Sequence, residues 1–168
     1  MGRPKAKHMS LHELFDYNPD DGLLRWKVPR GRKMVGDVAG HIDVSGYTVV
    51  GVNSKKHVRA HAIAWEMYYG ECPDPAKEID HINHNKSDNR ISNLRLVTRS
   101  ENQRNQRRNT RNTSGVTNVY SSGNKWRVYI TNPETKKPFT KYCKNFEDAV
   151  MLAYIKRMEF GYHPNHGT

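Results

Sequence analysis

Apolar positions along the chain come in short groups separated by turn formers, and each group predicts a short element. Residues 10–17 (SLHELFDY) predict a short helix, with Ser10 as N-cap and Glu13 completing a capping box. Asp20-Asp21-Gly22 marks a turn, and Leu23 to Val28 (LLRWKV) predicts a strand. Residues 46–52 (GYTVVGV) and 57–60 (HVRA) predict a hairpin turning at Asn53-Ser54-Lys55-Lys56. Residues 61–69 (HAIAWEMYY) predict a helix ended by Gly70, with Pro73 and Pro75 beyond it.

The pattern then changes. Residues 78–82 (EIDHI) predict a strand, 83–93 (NHNKSDNRISN) a polar loop without apolar rhythm, and 94–97 (LRLV) a second strand. Thr98 and Glu101 frame a capping box that opens a helix running through QRNQRRN. Residues 110–114 lie in a polar stretch rich in turn formers and are assigned as a linker. Residues 116–121, 125–131 and 139–143 predict three strands, and Asn145 caps a helix from Phe146 to Phe160. Along the middle strand Trp126, Val128 and Ile130 share one face, and Arg127, Tyr129 and Thr131 share the other. Phe146, Ala149, Val150 and Ala153 make a helical stripe able to cover the apolar face.

These elements define an α+β chain of 168 residues in small modules. A basic arm (1–9) precedes a first domain (10–109, core 78–109), the linker, a second domain (115–162) and a tail (163–168). Hydrophobic residues are 35% of the chain, too few for one large core. The net charge of +11 draws polyanions, and the clustering of that charge favours nucleic acid over a merely solvated basic surface. Two cysteines, Cys72 and Cys143, exclude a disulfide framework and a four-cysteine zinc site. Absence of a signal core or membrane-length apolar run leads to the expectation of a cytoplasmic protein with no membrane partner.

Candidate chemistry concentrates in the strand-loop-strand-helix unit. Asp80 and His81 lie on the first strand, Asn93 at the end of the loop, and Asn102 in the first turn of the helix. A neutral imidazole accepts a proton from water near neutral pH, which makes His81 the candidate general base. His84, in the loop, is the competing base. An oxygen-ligated divalent cation stabilises charge on a phosphodiester under attack, and Asp80 and Asn102 offer a carboxylate and an amide oxygen suited to Mg²⁺ or Mn²⁺. Both Asp80 and His81 must reach one phosphate although strand neighbours alternate, so the strand should end or become irregular there. His61, at a strand–helix junction, is assigned a structural hydrogen-bonding role. Asp88-Asn89-Arg90 is expected to pin the loop. Arg95, Arg99, Arg104, Arg107 and Arg108 are candidate phosphate contacts, which position a protein on DNA without reading sequence.

The stretch IDHINHNKSDNRISNLRLVTRSENQRN resembles the HNH motif of phage and intron-borne homing endonucleases, in the variant with Asn in third place: His81, Asn93, Asn102. HVRAHAIAWEMYYGECP resembles the segment that precedes this motif, and residues 10–56 join the same domain by adjacency alone. The resemblance implies a ββα-metal nuclease module that hydrolyses double-stranded DNA to 5′-phosphate and 3′-hydroxyl ends. It also implies that Asn93 bonds loop backbone and holds the His81 strand. Residues 113–162 resemble the ethylene-response-factor type of DNA-binding domain, three antiparallel strands on one helix. The resemblance implies major-groove contacts from Arg127, Tyr129, Thr131 and Tyr142, although the family's arginine-rich strands are thinner here. The competing reading is a non-catalytic DNA-binding or regulatory protein on a nuclease-derived fold. A monomer and a homodimer are both compatible with the sequence, as are nicking and double-strand cleavage.

Overall fold

Ser10 and Glu13 exchange hydrogen bonds between side chain and backbone, and this capping box starts α1 (Leu11–Leu14) in the computed structural model. The structure describes residues 9–53, 56–106 and 108–167. Nearly all of the basic arm, the turn residues Ser54 and Lys55, the candidate contact Arg107 and the last residue of the tail lie outside the described residues. The helix predicted to reach Tyr17 stops at Leu14, because Phe15 turns extended and begins β1 (Phe15–Tyr17). β1 pairs antiparallel with β2 (Leu24–Trp26), and the Phe15 and Trp26 ring centroids meet at 4.7 Å. Burying two aromatic rings outweighs extending a helix of a single turn.

Next come β3 (His41–Ile42), β4 (Thr48–Asn53) and β5 (Lys56–Arg59), in sheet order β3-β4-β5 and antiparallel throughout. β3 is a two-residue strand that the sequence pattern did not reveal. α2 (Ala60–Tyr69) begins directly after β5 and ends at Gly70, whose φ of 78° takes the left-handed conformation open to glycine. Leu14, Phe15, Leu24, Trp26, Ala39, Val50, Ala60 and Ile63 form the core of this region. β6 (Glu78–His81) and β7 (Leu94–Val97) then make a two-stranded sheet, with a single 3₁₀ turn at Ile91–Asn93 before β7.

The chain divides into two compact units, at Leu96 and Val97. The second opens with α3 (Arg99–Gln103), capped as expected by Thr98 and Glu101. The helix predicted through QRNQRRN ends at Gln103. Continuing it would stack Arg104, Arg107 and Arg108 at spacings where like charges repel. The carbonyls of Arg104 and Gln106 instead accept from the amides of His163 and Gly167 in the tail. Residues of the stretch read as a linker are also tied down, since Asn112 Nδ2 donates to the Val116 carbonyl and Ser114 Oγ to the Val119 carbonyl.

β8 (Val119–Ser122), β9 (Lys125–Thr131) and β10 (Pro138–Cys143) form an antiparallel sheet in the order β10-β9-β8. α4 (Phe146–Glu159) covers one face, burying Ala149 and Ala153 against Val119, Val128 and Ile130. Asn145 occupies the N-cap position but makes no side-chain cap; its Nδ2 donates to Asp148 Oδ2 instead. Both cysteines are free thiols, and no helix among the described residues is long and apolar enough to cross a membrane.

One turn between β1 and β2 positions the loop that follows β6. Tyr17 donates its hydroxyl to the Asn89 carbonyl, and the Ile91 amide donates to the Pro19 carbonyl. Gly22, at φ +72°, lies so close that a Cβ there would sit 2.3 Å from the Arg90 nitrogen. Gly22→Ala is therefore expected to cost about 2–4 kcal/mol, from left-handed strain and backbone overlap together. Hydrogen exchange would show the loss first at residues 83–93; unchanged protection there would refute this bracing role.

Candidate active site

β6 ends at His81, where the sequence led to the expectation that the strand ends or becomes irregular. Both side chains are buried, Asp80 at 7% exposure and His81 at 4%. Asn89 Nδ2 donates to the Ser87 carbonyl, which turns its Oδ1 towards His81 Nε2 at 3.3 Å. With Nε2–H donating to that oxygen, the ring's basic lone pair lies on Nδ1. Burial lowers the His81 pKa below that of an ordinary histidine, opposed in part by Asn89 and by the charges of Asp80 and Asp88. The ring is thus held neutral at neutral pH, the form that a general base requires.

The loop keeps its shape through polar bonds. Asn93 is buried, accepts from the Asn83 amide at Oδ1 and donates from Nδ2 to the Asp88 carbonyl. Its carbonyl accepts from the Ile82 amide, joining the loop's end to the residue after His81. Asp88 accepts from Arg90 Nε and Nη2 and from Asn83 Nδ2, and the Arg90 guanidinium leads in lowering its pKa to about 2. His84, the competing base, sits in a turn at φ 62° with its amide bonded to the His81 carbonyl.

Asp80 Oδ2 accepts from Arg95 Nε at 2.9 Å and Nη2 at 2.7 Å. Arg95, a candidate phosphate contact by sequence, is thus engaged by the candidate metal ligand. Among the described residues no group of three or more His, Cys, Asp or Glu could hold a metal ion. The donor chemistry fits a hard cation that takes few protein oxygens and fills its shell with water and phosphate, and does not fit an all-protein cage. Asn102 belongs to the second unit, in α3, where its amide donates to the Thr98 carbonyl.

The remaining candidate contacts differ in freedom. Arg99 is exposed at the start of α3. Arg104 is half-buried, with Nε unpartnered, and Arg108 donates to the Gly115 carbonyl. In the second unit Arg127 lies over the rings of Tyr120 and Tyr129, at 5.4 and 5.8 Å. Tyr120 and Tyr142 are the cross-strand neighbours of Arg127, so the uncovered sheet face carries an aromatic and cationic row. Tyr120 is not legible as a contact from the sequence, because strand register, not spacing, brings it there. Thr131 is half-buried, and its carbonyl accepts from the Tyr162 hydroxyl.

His61 sits at the strand–helix junction as expected, but without the hydrogen-bonding role assigned to it. Its buried Nδ1 has no hydrogen-bond partner, and its ring packs edge-on against His81 at 5.1 Å and Tyr47 at 5.5 Å. Desolvation, followed by the charges of His81 and Arg59, lowers its pKa to about 3. A histidine depressed in the folded state stabilises fully above its unfolded pKa, and that stability fades as pH falls towards the folded value. The unfolded state then binds the extra proton. Between pH 6.5 and about pH 5 the chain should lose about 2 kcal/mol through His61 alone. Thermal melts at the two pH values would measure it, and His61→Phe should flatten the dependence; an equally steep decline in the variant would refute the assignment.

Residues 58–104 match the family model described as HNH endonuclease. No curated protein and no solved structure matches the chain. The match covers α2, β6, the polar loop, β7 and α3, and it supports the HNH nuclease family for this stretch.

Proposed function

We propose that this chain is a metal-dependent HNH DNA endonuclease of the homing type. The observation that carries the proposal is the buried, ring-packed His81 at the end of β6, inside the stretch that matches HNH endonucleases. His81 Nδ1 takes a proton from the attacking water, and Nε2–H stays on Asn89, which fixes the tautomer and orients the ring. Asn93 keeps the loop closed behind His81 and does not touch substrate. Arg99 offers a guanidinium to backbone phosphate. Mg²⁺ or Mn²⁺, when bound, supplies charge that offsets the phosphate and the leaving 3′ oxygen. Asp80 and Asn102 are the oxygen donors proposed for it, and Arg95 competes for the Asp80 carboxylate. The products would carry 5′-phosphate and 3′-hydroxyl ends.

The second unit is proposed as the reader of duplex DNA, of the ethylene-response-factor type. Three antiparallel strands on one helix, with Arg127 set among Tyr120, Tyr129 and Tyr142 on the uncovered face, support that reading. A β-sheet face of this width can enter a major groove.

Supercoiled plasmid incubated with Mg²⁺ or Mn²⁺ should be nicked or linearised, and chelation should stop the reaction. His81→Ala should slow cleavage roughly 10²–10⁴-fold, the usual contribution of a general base. Wild-type protein that leaves plasmid intact with both metals would end the nuclease reading. Cleavage at the wild-type rate by the variant would remove His81 as the base.

A further inference from the structure

Three side chains beside His81 have no part in that mechanism. Tyr47 stands just before β4, Arg59 ends β5, and Lys86 belongs to the polar loop after β6. The Arg59 guanidinium lies 4.1 Å from the Tyr47 ring centroid, and Lys86 Nζ lies 4.8 Å from it. Lys86 also donates to the Ser45 carbonyl, so its ammonium is held from two sides. The Tyr47 ring in turn lies 6.0 Å from His81. Three separate segments therefore set two cations on one aromatic ring beside the candidate base.

Neither cation has an acidic partner among the described residues. Arg59 fills the N-cap position of α2 without a side-chain cap bond, and both side chains are exposed. Asp43, in the turn before Tyr47, turns Oδ1 to the amides of Ser45 and Tyr47. Contrast Arg90 and Arg95 in the same unit, each paired with an aspartate. Two like charges on one ring repel each other, and an anion between or above them removes that cost. The ring restricts both long side chains in advance, so less freedom is lost when an anion arrives.

We infer that Tyr47, Arg59 and Lys86 form a clamp for DNA backbone phosphates next to the scissile one. The inference rests on the nuclease reading for its choice of DNA. The clamp carries no base-reading group, so it would act on any sequence and set the strand's position against His81.

Binding of the full chain to a duplex oligonucleotide, measured in chelator across a range of salt, separates this from cleavage. Removing one phosphate-binding charge makes the dependence of log K on log salt shallower by about 0.9, so Arg59→Gln/Lys86→Gln should be shallower by about 1.8. Each single variant should show about half of that change. Arg59→Lys/Lys86→Arg should retain the wild-type slope. Tyr47→Leu should weaken binding several-fold at an unaltered slope, because the charges stay but are no longer held. A thermal melt confirms that each variant folds. A wild-type slope in the double Gln variant overturns the clamp, as does a slope change on duplex RNA with none on duplex DNA. Absence of plasmid cleavage would strike the nuclease reading alone and leave the binding result standing.

Discussion

The imidazole of His81 is held by its surroundings more than by the strand that carries it. Asn89 fixes one nitrogen, and His61 and Tyr47 pack against the ring. Each of these partners comes from a different segment: the polar loop, the start of α2 and the turn before β4. Burial keeps the ring neutral, and the same burial makes the neighbouring His61 sensitive to acid. The protein accepts the cost of enclosing polar atoms here, including an unpartnered His61 nitrogen, and holds an uncharged imidazole in place in return.

A second constraint is the polar loop, which has no apolar rhythm and cannot be shaped by hydrophobic burial. Asn93 and Asp88 shape it through bonds to backbone and to Arg90 and Asn83. The turn at Gly22 then presses against it from the β1–β2 hairpin. Residues early in the chain thus brace the polar loop of the segment that matches HNH endonucleases.

Positive charge is sorted by the fold. The sequence shows a basic chain with clustered arginines, and Arg95, Arg99, Arg104, Arg107 and Arg108 read alike as phosphate contacts, whereas Arg90 reads as a loop pin. In the structure Arg95 pairs with Asp80, Arg90 with Asp88, and Arg108 with a carbonyl. Arg99, Arg59 and Lys86 are exposed and have no acidic partner among the described residues, and nothing in the sequence sets Arg59 or Lys86 apart. An arginine that saturates a buried carboxylate and one that faces solvent have the same letter, and only their neighbours distinguish them.

Local rules were readable because they act within a few residues. Both capping boxes, the Gly70 terminus, the three C-terminal strands and the alternating faces of β9 follow from nearest-neighbour geometry. So does the strand-loop-strand order around Asp80, His81 and Asn93. Non-local competition decided the rest. Phe15 left the first helix to meet Trp26, α3 stopped where like charges would stack and the tail took its carbonyls, and His61 met rings instead of a hydrogen-bond partner. The sequence by itself determined which chemical groups the chain carries and in what order, since residue type and spacing put a carboxylate, an imidazole and amide oxygens into one short stretch. Tertiary structure alone decided which of those groups are buried, paired or open to an anion, because solvation and charge pairing depend on residues brought close from far along the chain.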